Sequence, residues 1–295
     1  MPGTPKAIDH LVLPVADLVS ARMRLSALGF TVAADAHHPF GTENACIFLP
    51  DGTYLEPLAV TSRDACKAAV KAGNMFIARD QAFRFRCGED GFTAVVFKCA
   101  DAPADHAAYT TEGLSGGPML SFSRPVRGDD GTFREASFHL AFAADLRAPD
   151  FFFFSCERVN ATAFPNAPEH ANGVTRLVSV VLSEDNPADF RDFAETALSQ
   201  PDAKTTADGL DFAAANAHLS ILTPAALLAE FGTGVTRTAR GLRGEGIVFA
   251  TTSLAQVEQC LAASGVHFIR RESRLIVPPA VGQGAFVAFE EEKED

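Results

Sequence analysis

Tryptophan is absent from the 295-residue chain, and tyrosine occurs only twice. Phenylalanine occurs 25 times, so the aromatic surface carries almost no polar handle. Clusters of lysine and arginine are also missing. The formal net charge is −12, which argues against nucleic acid and anionic membrane as partners. No apolar run approaches the roughly 20 residues that a membrane span needs. The opening MPGTPKAIDH lacks a basic region followed by an apolar one, so no secretory signal is expected. No C-x-x-C occurs. The cysteines (Cys46, Cys66, Cys87, Cys99, Cys156 and Cys260) are scattered, a usage that predicts a cytoplasmic protein with reduced thiols. Phosphate-loop, nucleotide and Gly-x-Ser-x-Gly motifs are missing too, so nothing points to nucleotide or serine-nucleophile chemistry.

What is present is an apolar core and a repeat. Hydrophobic residues make up 47% and charged residues 21%, the balance of a globular protein. AIDHLVLPVAD (Ala7–Asp17) and GFTAVVFKCAD (Gly91–Asp101) are apolar strands of equal length, both ending in Ala-Asp. LVSVVLSED (Leu177–Asp185) and GIVFATTS (Gly246–Ser253) continue the series. An amphipathic helical stretch follows each strand. Asp17, Asp185 and Ser253 are expected N-caps. Gly29, Gly113 and Gly265 stand where a helix should end in a left-handed residue. Short strands with turn residues between them come next, Pro50-Asp51-Gly52 being one turn and Gly128–Gly131 another. The reading is an α+β chain of four βαβββ units. ATAFPNAPEHANG, rich in Pro, Asn and Ala, predicts a boundary. The expected domains are 1–165, carrying the candidate site, and 166–295, a degenerate second copy.

Three motifs in the first unit carry a family resemblance: Ile8-Asp9-His10-Leu11-Val12, His38-Pro39-Phe40-Gly41-Thr42-Glu43-Asn44 and Tyr54-Leu55-Glu56. With the βαβββ pattern they resemble the vicinal oxygen chelate superfamily, and within it the glyoxalase-like domain proteins. That superfamily also includes extradiol dioxygenases and the bleomycin resistance proteins. The resemblance implies paired units with curled mixed sheets forming a cup. It also implies a divalent metal (Zn, Fe, Mn, Ni or Co) held from first and fourth strands, with His10 and Glu56 in ligand positions.

The residues themselves support part of this. A histidine among apolar strand neighbours needs a partner, and strict alternation puts His10 on one face with Ile8 and Val12. Glu56 lies in an apolar strand, where an unpaired carboxylate is costly. The second unit departs from the pattern, with Ala94 opposite His10 and Phe153 or Ser155 opposite Glu56. His139 is its one strand histidine. The candidates are therefore His10 and Glu56 for metal, and Glu56 and His38 for acid–base work, with His38 at the cup mouth. Without metal, Glu56 is expected to be a base raised by apolar walls. Thr42, Asn44, Phe151, Phe153 and His139 are candidate substrate contacts, and Phe151–Phe154 predicts an aromatic cup. Phe83-Arg84-Phe85-Arg86 alternates as an edge strand would. The expected function is a lyase or isomerase of glyoxalase type, acting on a small molecule with vicinal oxygens and hydrophobic bulk. The alternatives are a non-catalytic ligand-sequestering protein and an extradiol-dioxygenase-like oxidoreductase. The dioxygenase lacks an evident second histidine. The C-terminal units leave room for a homodimer.

Overall fold

The computed structural model describes residues 4–127, 132–160, 167–200, 202–234 and 239–292. The turn expected at 128–131 lies outside them. The first unit runs β1 (Ile8–Pro14), α1 (Leu18–Ala27), β2 (Ala36–His37), β3 (Thr42–Asn44), β4 (Ile47–Phe48) and β5 (Tyr54–Val60). Asn44 pairs with Leu58 and Ile47 with Leu55, so β3 and β4 are one strand interrupted at Ala45–Cys46. Helices α2 (Arg63–Lys71) and α3 (Met75–Cys87) follow. The second unit runs β6 (Ala94–Cys99), α4 (Ala102–Thr111), β7 (Leu120–Arg127), β8 (Phe133–Ala143) and β9 (Phe152–Arg158). The third runs β10 (Val174–Ser183), a 3-10 turn at Pro187–Phe190, α5 (Arg191–Leu198), β11 (Lys204–Thr205), β12 (Gly209–Ala213) and β13 (His218–Leu222), followed by α6 (Pro224–Phe231). The fourth runs β14 (Arg243–Thr251), α7 (Leu254–Ala263), β15 (Ile269–Arg271), β16 (Arg274–Val277) and β17 (Phe286–Glu291).

The expected four units are thus present, in two sheets. The first has the order β2-β3-β5-β1-β6-β9-β8-β7, with β4 also on β5; the second has β11-β12-β13-β10-β14-β17-β16-β15. Opening strands of paired units lie antiparallel, β1 on β6 and β10 on β14. Each closing strand runs parallel to its own opening strand.

Local chemistry explains the helix ends. Asp17 accepts a hydrogen bond from the Ser20 amide and Ser253 from that of Gln256. The Asp185 cap does not form: Pro187 opens a 3-10 turn after Asn186 instead, because proline suits a first turn and lacks the donor a longer helix would need upstream. Gly29 (φ 88°), Gly113 (68°) and Gly265 (65°) take the left-handed conformation just past their helices.

The segment Phe83–Arg86 is a correction, since it belongs to α3 rather than to an edge strand. Asn74 caps the helix by accepting from the Ile77 amide. Phe76, Ile77, Asp80 and Phe83 then fall on its buried face at helical spacing. Arg84, braced by Asp80 one turn earlier on the same helix, ties the helix down by donating to the carbonyls of Val15 and Leu58.

Alternation divides the packing. Outward residues of both sheets form one core with α1, α4, α5 and α7, including Leu25, Tyr109, Phe193 and Leu261. The inner face of the first sheet packs Phe138, Phe142, Phe152 and Phe154 against Phe76 and Ile77 of α3. The inner face of the second sheet meets Leu227 and Phe231 of α6. No helix among the described residues is long and apolar enough to cross a membrane.

Candidate active site in the first sheet

The site begins at an irregularity in β1. Ile8 pairs with Phe97 and His10 with Val96, so two steps on β1 match one on β6. Asp9 is the extra residue of a bulge. Ile8 consequently joins the outer core, while His10 turns inward. This corrects the strict alternation that placed Ile8 beside His10. It also lets Asp9 and His10, adjacent in sequence, meet side by side. Asp9 is fully buried. Its Oδ2 lies 2.8 Å from His10 Nδ1, and it accepts from Arg158 Nη2 at 2.8 and 2.6 Å.

The parallel register then sets Glu56. His10 pairs with Tyr54 and Val12 with Glu56. The His10 ring stacks on Tyr54 at 4.4 Å and meets Phe154 edge-on. Its Nε2 lies 3.4 Å from Glu56 Oε2. Asn44, opposite Leu58 on the neighbouring strand, donates its amide to Glu56 Oε1 at 2.5 Å. His38 approaches the same oxygen, with Nε2 at 3.6 Å, and holds Thr42 Oγ1 through Nδ1 at 3.0 Å. His38 is buried, not at the mouth, and stacks on Phe40.

Electrostatics follow from this wiring. Burial pushes Glu56 up, but the His10 bond and charge, with His38 and Asn44, hold its pKa at about 2. The expected raised base is therefore a firmly ionised carboxylate. Burial pushes His10 down, yet Asp9 and Glu56 raise it above its ordinary value. His38 lacks such a strong partner, and burial takes it down to about 4. Burial, then Asp9 and Glu56, raise Tyr54.

Phenylalanines close the cup. Phe40, Phe76, Phe122, Phe138 and Phe154 line a cavity of about 40 Å³, with Arg124, Leu140 and Cys156. That is room for about three waters. Several expected contacts lie elsewhere. Phe151 and Phe153 belong to the outer core, because Ala94 pairs with Phe152 and this phase points the even-numbered rings inward. Phe154, opposite Val96 as Glu56 is opposite Val12, takes the position corresponding to Glu56. His139 also faces outward, 3.6 Å from Glu157. His170, in the Pro- and Asn-rich boundary segment, is buried: it accepts from the Thr31 amide and sits 3.0 Å from the Phe48 carbonyl. In the third unit the β1 bulge recurs between Val174 and Arg176, putting Arg176 where His10 stands.

His10, Glu56, His38, Thr42 and Asn44 are thus brought together. Asp9, Arg158, Tyr54 and Arg124 join them without having been singled out as site residues. Tyr54 had a visible signal, two residues before Glu56 on the same strand face.

The donors suit a metal by type, and each imidazole has its far nitrogen engaged, as metal-bound histidines do. The 3.4 and 3.6 Å separations are long for hydrogen bonds. They approximate the ~3.4 Å edge that two donors keep on one tetrahedral ion with bonds of about 2.1 Å. As the side chains stand, no group of three or more His, Cys, Asp or Glu among the described residues is placed to hold an ion. The two rings sit on different oxygens, and Asn44 occupies one of them.

Comparisons with known proteins agree with the architecture. A family model described as a glyoxalase-like domain matches residues 8–198. No curated protein matches in sequence. A hypothetical protein from Staphylococcus aureus superposes with a TM-score of 0.66 at 12% identity, covering 97% of this chain and 99% of its own. A mutant 4-hydroxymandelate synthase from Streptomyces coelicolor gives 0.61 at 15%, covering 99% and 93%. A fusion of a xylose isomerase-like TIM barrel with 4-hydroxyphenylpyruvate dioxygenase gives 0.52 at 15%, covering 100% of this chain and 50% of that one. At these identities the likeness is one of fold.

Proposed function

The chain belongs to the glyoxalase-like domain family, and from that premise we propose a small-molecule enzyme whose active site is the cup of the first sheet. The observation that carries the reading is the ionised Glu56 carboxylate, buried among phenylalanines, with an imidazole Nε2 facing each oxygen. A divalent metal is the proposed cofactor, held by His10 and Glu56, Asn44 yielding its place on Glu56; His38 is a third donor only in the second reading below. When bound, it supplies Lewis-acid stabilisation of neighbouring substrate oxygens.

The protein groups have separate roles. Glu56, at a pKa of about 2, is a weak proton acceptor and a suitable anionic ligand. Asp9, itself fixed by Arg158, orients the His10 ring. Thr42 orients that of His38. His38, at a pKa of about 4, is neutral at pH 7 and keeps a lone pair available. The aromatic walls exclude water and receive hydrophobic bulk.

Lyase or isomerase chemistry on a substrate with vicinal oxygens is the first reading, with His38 moving the proton. One observation favours a second: His38 provides the other imidazole of a two-histidine, one-carboxylate set, the arrangement non-haem Fe(II) oxygenases use. Oxygen uptake by Fe(II)-loaded protein, measured against a panel of vicinal diols and 2-hydroxy ketones, separates the two. The metal itself is tested by loading the purified chain with Zn, Fe(II), Mn, Co or Ni and measuring bound metal. One ion per chain, lost in the His10→Ala, Glu56→Ala double variant, is expected. Equal metal in both proteins, or none in either, refutes the metal reading. In the latter case binding of flat aromatics without turnover supports the sequestering role.

A further inference from the structure

The cup contains one charge that the metal reading does not use. Arg124 on β7 lines the same cavity as His10, His38 and Glu56. Its guanidinium lies over the Phe138 ring, 5.8 Å from the centroid. Its Nε is buried without a hydrogen-bond acceptor. Among the described residues it has no carboxylate partner, whereas Arg84, Arg86, Arg147, Arg158, Arg240 and Arg274 each have one.

Charge bookkeeping sharpens this. Asp9 is paired with Arg158, and no carboxylate among the described residues pairs with Arg124, which leaves its guanidinium without a counter-ion there at an aromatic cavity. A guanidinium is planar by delocalisation and presents a fork of donors matched to two oxygens of a carboxylate. Phe122, Phe138 and Phe40 beside it supply flat apolar walls. A lone guanidinium, with the negative Glu56 nearby, suits a ligand of one negative charge rather than two.

Resting on the proposed active site in this cup, we infer that its substrate is an aromatic or similarly flat apolar carboxylate, whose carboxylate is held by Arg124 while its body lies against the phenylalanines at the cavity's opening, only one edge entering it. The carboxylate forms a charge-assisted pair with the guanidinium, and no covalent step is involved. Arg124 then sets specificity rather than reactivity.

The test is calorimetric titration of the full chain with benzoate, phenylacetate and 2-naphthoate, each beside its neutral primary amide, and with phenyl phosphate. At least one carboxylate should bind at least tenfold more tightly than its amide. Arg124→Met should remove that preference and leave amide binding unchanged, and Arg124→Lys should restore part of it. Equal binding of acid and amide, an unchanged preference in Arg124→Met, no binding by any carboxylate at 10 mM, or tighter binding of phenyl phosphate overturns the inference. Melting curves of both variants exclude misfolding, because Arg124 is only partly buried. Metal content is measured in parallel. Metal retained by Arg124→Met with the anion preference lost upholds both readings. Anion preference without metal refutes only the metal centre, and metal without anion preference refutes only this inference.

Discussion

Replacing Asp9 with asparagine tests the wiring beneath His10. The carboxylate is fully buried and takes contacts from His10 Nδ1 and twice from Arg158 Nη2, all within 2.8 Å. Removing one member of a buried ion pair costs about 3–5 kcal/mol, because the other charge stays behind. Asparagine keeps one acceptor oxygen, and Arg158 is 23% exposed, so the lower end applies, about 3 kcal/mol. That is a large share of the roughly 5–15 kcal/mol that holds a domain together. It corresponds to a Tm lower by roughly 6–10 °C. Urea denaturation followed by circular dichroism measures it, since the chain has no tryptophan to report by fluorescence. The pH dependence has a definite sign. Asp9 is held below its ordinary pKa, against burial, by His10 and Arg158. Its contribution is present above the unfolded value near 4 and is lost as pH falls through the lower folded value. The gap between wild type and Asp9→Asn should therefore narrow below about pH 4. In the Asp9→Asn background, Arg158→Met should cost about 2 kcal/mol less than in wild type, since the charge it removes has already lost its carboxylate. If the two substitutions add within about 0.5 kcal/mol, or Asp9→Asn costs under about 1 kcal/mol, the proposed support of His10 by Asp9 and Arg158 is wrong.

Two further outcomes follow from the same geometry. His38 is held at about 4, below its unfolded value of about 6.5, so chelator-treated protein should lose up to about 3 kcal/mol as pH falls from 6.5 to 4; His38→Gln should flatten that interval, as urea midpoints at a series of pH values will show. Phe153→Leu and Phe154→Leu should each cost about 1–2 kcal/mol, yet only Phe154→Leu should alter ligand binding, because only that ring faces the cup.

Much of the fold was readable because it rests on local rules. The opening strands were visible as apolar runs, the caps at Asp17 and Ser253 as residue types in place, and the helix ends as glycines. His10 and Glu56 meet because the closing strand runs parallel to β1 with a simple register, so motif spacing was enough. The bulge at Asp9 was not readable: it is a property of pairing with β6, and it changes which residues share His10's face. The phase of Phe151–Phe154 was equally hidden. Phenylalanine is apolar on either face, and only the pairing of Ala94 with Phe152 decides which rings line the cavity. His38 was expected at the cup mouth because it follows a strand next to a turn, yet its contacts with Thr42 and Phe40 hold it inside. The α2–α3 cover falls outside the repeat, so comparing units could not reveal it.

The core shared by the two sheets has a consequence for what counts as a unit of this protein. The family match stops at Leu198, the last residue of α5, whose Phe193 packs 4.9 Å from Phe153 in the first sheet. Phe30 likewise rests on Phe249, deep in the second sheet. A chain severed at the edge of the match would present half of a continuous apolar interior to water, a patch of the kind that seeks another surface. The segment that sequence similarity delimits and the apolar core that the chain buries therefore have different edges, since that core takes in residues of both sheets.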